Sequence, residues 1–381
     1  MIYKKIVSFL CVLVLVLAET AFPANSLSQD DITAPSAVLM EPNSKTVLYE
    51  HNSHEQRPCA SVTKVMTLLL VMEALDSGKI TLDETVTASA KAASMGGSDI
   101  WLEEGEQMSV DDMLKATAVA SANDASVALA EHICGTVEDF VQKMNEKAAE
   151  LGMKDTVFKN CNGLDEEGHL TSAYDVALMS AELMKHKKIF DYTTIWMDTL
   201  RGGKTQIVNT NKLLKTYNGI TGLKTGTTDD AGCCMSASAA RDGLDLVGVV
   251  LGCATGTERF KDAAALLDYG FANYRYAVLE SPKELPGEIE VTGGMSPETR
   301  IKCEVNSGAV LQKGESGELR WEIDLPEEVE APLEKGGKIG TATCFSGDKE
   351  LGSFDITCEY EIPPIGFSQV FALLYNALLA L

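Results

Sequence analysis

The run Val65-Met66-Thr67-Leu68-Leu69-Leu70-Val71-Met72-Glu73-Ala74-Leu75 is apolar on nearly every side, and a helix of that kind belongs inside a sizeable core. Pro58 stands just ahead of it and Gly78 just behind, where helices start and stop. At its head is Ala60-Ser61-Val62-Thr63-Lys64. Residues three apart on a helix are neighbours one turn up the same face, so the Lys64 amine comes within reach of the Ser61 hydroxyl. A serine hydroxyl is a poor nucleophile at neutral pH, and a lysine activates it only where burial or nearby cations lower the amine's pKa. The apolar helix offers that burial, and backbone N–H groups at its start favour a developing oxyanion. A second Ser-x-x-Lys, Ser346-Gly347-Asp348-Lys349, falls on a Gly-Asp turn among strand-like segments and reads as chance.

A core around this helix needs a long chain, and 381 residues with 45% hydrophobic content suffice for two domains. Residues 1–26 read as a secretory signal peptide: Lys4 and Lys5, the apolar Ile6 to Ala18, then Ala24-Asn25-Ser26 as a cleavage site. An uncleaved anchor is the alternative, and Cys11 lies inside the apolar segment, not at its end, which argues against a lipoprotein. The chain is therefore expected to be exported. Its net charge of −24 would repel nucleic acid and anionic lipid headgroups. Nine cysteines beyond the signal peptide, with no C-x-x-C pair, read mostly as small buried residues, although a bridge among Cys303, Cys344 and Cys358 is conceivable. His51-Asn52-Ser53-His54 is only a weak metal-like spacing, and neither a metal nor a cofactor is expected.

Along the chain, Ala37 to Met40 and Thr46 to Tyr49 read as a hairpin leading into the Ser61 helix. A helix capped at Ser109 runs to about Ala120 and breaks at Ser121-Ala122-Asn123-Asp124, after which helical spacing resumes at Ala125. Polar side chains at such a break can point into a cleft, or simply cap the junction. Helices follow at about Val137 to Leu151 and from a Thr171-Ser172 cap with Asp175 to an end at Lys185-His186-Lys187-Lys188, on either side of a loop at 160–169. From Gly219 the pattern turns to strands, Ile220 to Thr227, Cys234 to Ala240 and Leu244 to Leu251, then a helix from about Glu258 carrying Arg259 in its first turn. Gly226 inside a strand suggests a close approach by ligand or backbone. The order predicts an antiparallel sheet covered by helices over 27–280, a small all-β domain over 281–361, and an apolar helix over 362–381.

Ser61-x-x-Lys64, Ser121-x-Asn123 and Lys224-Thr225-Gly226 stand in the order of the three motifs of the penicillin-interacting serine enzymes. The wider wording, including Gly222-Leu223-Lys224-Thr225-Gly226-Thr227, resembles the D-alanyl-D-alanine carboxypeptidases among the low-molecular-weight penicillin-binding proteins. The resemblance covers essentially the whole chain and implies an α+β, β-lactamase/transpeptidase-like domain, a C-terminal β domain and an amphipathic membrane-anchoring helix. It implies that Ser61 attacks the D-Ala-D-Ala carbonyl of a peptidoglycan pentapeptide and forms an acyl-enzyme, as it would with β-lactam antibiotics, while Lys64 takes its proton. Ser121 and Lys224 would relay protons and position substrate, and Asn123 would hold the peptide amide. Backbone N–H groups of Ser61 and Thr227 would form the oxyanion hole, with Thr225, Thr227 and Arg259 receiving the terminal carboxylate beside Gly226. The implied location is the outer face of the cytoplasmic membrane and the cell wall. Class A β-lactamases add a loop glutamate, and Glu166 and Glu167 do lie between the second and third motifs, but a β-lactamase needs neither a second domain nor an apolar tail. A non-catalytic wall-binding protein is a further alternative, against which both lysines argue.

The tail from Gly366 to Leu381 is too short, at about 24 Å, to span a hydrocarbon core. Ser368, Gln369, Ala372 and Asn376 fall in one sector of it, so it is expected to lie at a membrane interface, with a short spanning helix as the alternative.

Overall fold

The computed structural model describes residues 27–28, 31–305, 308–314 and 319–379, and the expected signal peptide lies outside them. The chain divides into two compact units between Arg275 and Tyr276.

In the first unit, β1 (Ser36–Glu41), β2 (Thr46–His51), β3 (Ile220–Thr228), β4 (Gly232–Arg241) and β5 (Leu244–Cys253) form one sheet in the order β2-β1-β5-β4-β3. Every neighbouring pair is antiparallel. β3 carries Lys224 to Thr227 and is an edge strand, which leaves one side of its backbone open to an incoming peptide. The helix α1 (Lys64–Asp76) is buried from Val65 to Met72, as its all-round apolar sequence requires. Helix α2 (Val110–Val119) and helix α3 (Asn123–Cys134) flank it, followed by α4 (Val137–Leu151) and α5 (Ala173–Lys185). Helix α5 lies against the sheet, its Ser180 hydroxyl 2.8 Å from that of Ser236 on β4. The other face is covered by α6 (Gly256–Asn273), where Gly270 lets the helix approach Leu39 and Leu246 more closely than a Cβ would permit.

Two local details depart from the sequence reading. Ser61 sits in a 3₁₀ turn, Ala60–Thr63, that precedes the α-helix, and α3 begins at Asn123, two residues before the expected restart at Ala125. In both places a non-glycine residue takes a left-handed conformation, Ala60 at φ 49° and Ser121 at φ 62°, which turns the chain sharply into the helix behind it.

The second unit holds a sheet of six strands: β6 (Glu288–Thr292), β7 (Glu298–Cys303), β8 (Leu319–Asp324), β9 (Glu328–Glu330), β10 (Lys338–Ser346) and β11 (Lys349–Cys358), ordered β8-β10-β11-β7-β6-β9. Strand β7 alternates exposed and buried residues, and Ile289, Ile301, Cys303, Ala342 and Ile356 form a core. The conceivable bridge among Cys303, Cys344 and Cys358 is absent, since all nine cysteines from Cys59 onward are free. Ser346 and Lys349 of the second Ser-x-x-Lys face each other across the β10–β11 turn, remote in role from any helix. The terminal helix α7 (Phe367–Leu379) leaves Phe367, Phe371, Tyr375, Leu378 and Leu379 exposed. Among the described residues no helix is long and apolar enough to cross a membrane.

Candidate active site

The Lys64 amine is the centre of the site. It lies 2.9 Å from Ser61 Oγ, 2.6 Å from Asn123 Oδ1 and 2.6 Å from the carbonyl oxygen of Asn162. A protonated amine would donate all three hydrogens there. A neutral one donates two to the carbonyl acceptors and keeps its lone pair for the Ser61 O–H. Lys64 is fully buried, and that desolvation brings its pKa down from 10.5 to about 7, against the weaker opposing pull of Cys161, Asp99, Asp124 and Cys59. Among the described residues no carboxylate is hydrogen-bonded to the amine. The geometry therefore poises a neutral base against a hydroxyl near neutral pH.

Lys224 is also buried, and burial first, then the charges of Lys64 and Arg259, depress its pKa well below the usual lysine range. Its amine donates to the Thr225 carbonyl at 2.9 Å. Arg259 is 8% exposed. Its Nη1 donates to Gly226 O at 2.9 Å and Thr227 Oγ1 at 3.0 Å, and its Nε is buried without a partner. Thr225 Oγ1 donates to Thr210 Oγ1 at 2.6 Å. Two lysines and an arginine thus converge, and among the described residues no acidic side chain is bonded to them, an arrangement that favours an anion.

Gly226 explains how the edge strand comes so near the nucleophile. A Cβ there would lie 2.7 Å from Cys59 O, 2.8 Å from Ser61 N and 2.9 Å from Val62 N, so only glycine lets β3 run against the 3₁₀ turn. Gly163 does the same for the loop at 160–169, where a Cβ would meet Ala60 O at 1.9 Å. That loop delivers the Asn162 carbonyl to Lys64 and the Cys161 carbonyl to Thr67 Oγ1 at 2.5 Å. Glu166 and Glu167 are exposed on its outer side, and the Glu166 carboxylate accepts from Asn160 Nδ2 at 3.0 Å.

The predicted residues are thus distributed unevenly. Ser61, Lys64 and Asn123 are joined by hydrogen bonds, and Gly226, Thr227 and Arg259 by others. Asn123 is engaged at both ends of its amide, Nδ2 donating to Gly96 O at 2.7 Å, so it faces Lys64 and a loop as well as the cleft. Ser121, 4% exposed, has no side-chain hydrogen bond among the described residues. Asn162, Gly163 and Gly96 escaped the sequence reading, because two of them act through backbone carbonyls, which no residue type announces. The positive φ of 84° at Gly163 is the only trace, as an Asn-Gly pair in a loop. Of the weak His51/His54 spacing, His54 Nδ1 lies 2.8 Å from Asp155 Oδ2 and His51 Nε2 lies 3.2 Å from Asn52 Nδ2.

Residues 23–255 match the D-alanyl-D-alanine carboxypeptidase family of peptidases, and residues 281–364 match the C-terminal domain of penicillin-binding protein 5. The chain is 42% identical over 338 residues to the D-alanyl-D-alanine carboxypeptidase DacF of Bacillus subtilis, covering 88% of this chain and 87% of that one. It is 33% identical over 333 residues to DacC of Escherichia coli, with 85% and 83% covered. Penicillin binding protein 5 from Haemophilus influenzae superposes with a TM-score of 0.78 at 32% identity, over 89% of this chain and all of that one. Penicillin-binding protein D2 from Listeria monocytogenes in its ampicillin-bound form superposes at 0.58 and 33% identity, over 63% and 98%.

Proposed function

The chain belongs to the D-alanyl-D-alanine carboxypeptidase family, and from that premise and the geometry of its cleft we propose how its residues carry the reaction. It is a serine peptidase that removes the terminal D-alanine from peptidoglycan stem peptides and is acylated by penicillin. In the proposed mechanism Ser61 attacks the carbonyl of the penultimate D-alanine while its proton passes to Lys64. The amine can accept it because Asn123 Oδ1 and Asn162 O already hold its two N–H groups. This arrangement of one buried amine is the observation that carries the reading. Ser121, buried beside the cleft, and Lys224 return a proton to the departing D-alanine, and the backbone N–H groups of Ser61 and Thr227 take the oxyanion. Thr225, Thr227 and Arg259 hold the substrate's free carboxylate next to Gly226. Deacylation then returns Ser61 through water activated within the same lysine system, since the exposed Glu166 and Glu167 make no hydrogen bond to Ser61 or Lys64.

The proposed domains are a peptidase domain over 27–280, a β domain over 281–361 and an anchoring segment over 362–381, in which the described helix begins at Phe367 and not at residue 362, because Ile362 and Pro364 still form bridges to the β domain. Residues 1–26 act as the export signal, and the enzyme works on the cell wall outside the cytoplasmic membrane. Helix α7, with its exposed Phe367, Phe371 and Leu378, lies in the membrane interface and holds by apolar burial, having no cation of its own.

Labelled penicillin followed by peptide mapping tests the assignment. Label is expected on Ser61, abolished with D-Ala release in Ser61→Ala and unaffected in Ser346→Ala. Label on any other residue overturns it.

A further inference from the structure

Thr227 on β3, Cys233 on β4 and Cys253 on β5 stand directly opposite one another across three neighbouring strands, so their side chains share one face of the sheet. Arg259 reaches this row from α6. Its Nη1 donates to Thr227 Oγ1 at 3.0 Å, and Cys233 Sγ lies 3.8 Å from the same hydroxyl oxygen. Both thiols are free, and the mechanism uses neither. Cys253 is completely buried, whereas Cys233 is partly open to solvent beside the exposed Thr227.

Accessibility and charge set Cys233 apart from the other thiols. A thiol reacts as its thiolate, and one buried in apolar surroundings is inert. Burial pushes the Cys59 thiol up to about 11 and those of Cys161, Cys234 and Cys253 up to about 12. Cys303, Cys344 and Cys358 are buried in the second unit. Cys134 is the other partly exposed thiol, but it closes α3, about 16 Å along the helix from Asn123 at its head. Beside Cys233, in contrast, stands a cation with little to neutralise it. Arg259 is 8% exposed, its Nη1 is engaged by the Gly226 and Cys234 carbonyls and the Thr227 hydroxyl, and its buried Nε has no partner. After burial itself, the group that acts most on its charge is Cys233. A group attached to Cys233 Sγ is thereby delivered to a buried positive site next to Thr227, and a negative one is attracted to it.

Resting on the assignment of Thr227 and Arg259 to the substrate's carboxylate, we propose that Cys233 is a covalent modification site for small anionic disulfides and thiosulfonates, whose adduct occupies the place of that carboxylate. The Cys233 thiolate attacks the reagent's sulfur, the reagent's S–S bond breaks as a new S–S bond to the protein forms, and a thiolate or sulfinate leaves. The thiol proton passes to solvent; the cysteine is oxidised, and the reagent is the oxidant that is reduced. The test treats the full chain with sulfonatoethyl methanethiosulfonate and with its cationic counterpart, trimethylammonioethyl methanethiosulfonate, and follows adduct mass, peptide maps and penicillin acylation. The anionic reagent should be favoured at Cys233 by about tenfold, once each rate is divided by that with β-mercaptoethanol, the low end of what a focused field supplies. The adduct should abolish penicillin uptake and D-Ala release, dithiothreitol should restore both, and prior acylation by penicillin should protect Cys233. Cys233→Ser should take penicillin at the wild-type rate before and after treatment, while Cys134→Ser stays sensitive. No adduct on Cys233, an adduct there that leaves acylation intact, or no preference for the anionic reagent would overturn the proposal. A chain that takes up no penicillin before treatment would instead overturn the carboxypeptidase reading, and the adduct mass and charge preference at Cys233 would still decide the modification site.

Discussion

Replacing Gly226 by alanine would add one methyl group where three backbone atoms already stand, Cys59 O at 2.7 Å, Ser61 N at 2.8 Å and Val62 N at 2.9 Å from the new Cβ. None is the tip of a flexible side chain, so relief requires β3 and the Ser61 turn to separate. Restoring an ordinary contact of 3.4 Å against the nearest of them means a displacement of about 0.7 Å, larger than the roughly 0.5 Å within which a catalytic constellation must be held. The two proposed oxyanion donors, Ser61 N and Thr227 N, lie on the two parts forced apart. Losing one such donor costs about 10²–10³ in rate, or roughly 3–4 kcal/mol of transition-state stabilisation. Acylation by a fluorescent penicillin, followed by stopped flow, should fall by that factor, and D-Ala release with it. Gly287→Ala, where a Cβ meets nothing within 4 Å, serves as the control and should leave both rates unchanged. A Gly226→Ala enzyme acylating within about threefold of wild type would refute the reasoning, because the strand could then retreat without disturbing the oxyanion hole.

Peptides ending in a free D-Ala carboxylate should be cleaved, while the same peptides amidated at that end should be poor substrates in a D-Ala release assay; equal rates would remove Thr225, Thr227 and Arg259 from carboxylate binding. Lys64→Ala should slow penicillin acylation by at least the 10²–10⁴ attributed to general-base assistance, measured by gel fluorescence over time, whereas Lys224→Ala should weaken capture and turnover together. Ending the chain at Glu361 should yield an enzyme that stays in the supernatant on sedimentation with vesicles yet still binds penicillin, and the full chain should remain on vesicles in high salt. A truncated form that still sediments, or a full chain released by salt, would contradict the interfacial role of α7.

Much of the arrangement was legible because the chemistry is written in side chains at fixed helical and strand spacing. The all-round apolar run from Val65 to Leu75 demanded burial, and burial of α1 is what lowers the Lys64 pKa. Gly226 stood out as a glycine within a strand, and its close approach to Ser61 N gives the reason. The details that escaped were backbone matters. Asn162 contributes a carbonyl oxygen, which any residue could supply, so only Gly163 beside it carried a signal. The left-handed turns at Ala60 and Ser121 fall on residues that rarely adopt them, and local propensity therefore misplaced the start of α3 by two residues. Asn123 was assigned to substrate from its motif, but its amide also bridges Lys64 and the Gly96 carbonyl. That contact depends on the fold of the loop at 94–102, which has no periodicity to read.

The central claim is that a buried, neutral Lys64 activates Ser61, and the pH dependence of penicillin acylation tests it most directly. The amine's pKa is lowered from 10.5 to about 7, and the base is the unprotonated form, so the reactive fraction grows as pH rises and saturates above that value. The second-order acylation rate should therefore climb about tenfold between pH 5 and 6, about fivefold more between pH 6 and 7, and level off beyond that, with label on Ser61 throughout. A rate that is flat across this range, or that continues to climb toward pH 10 as for an unperturbed lysine, would contradict the account.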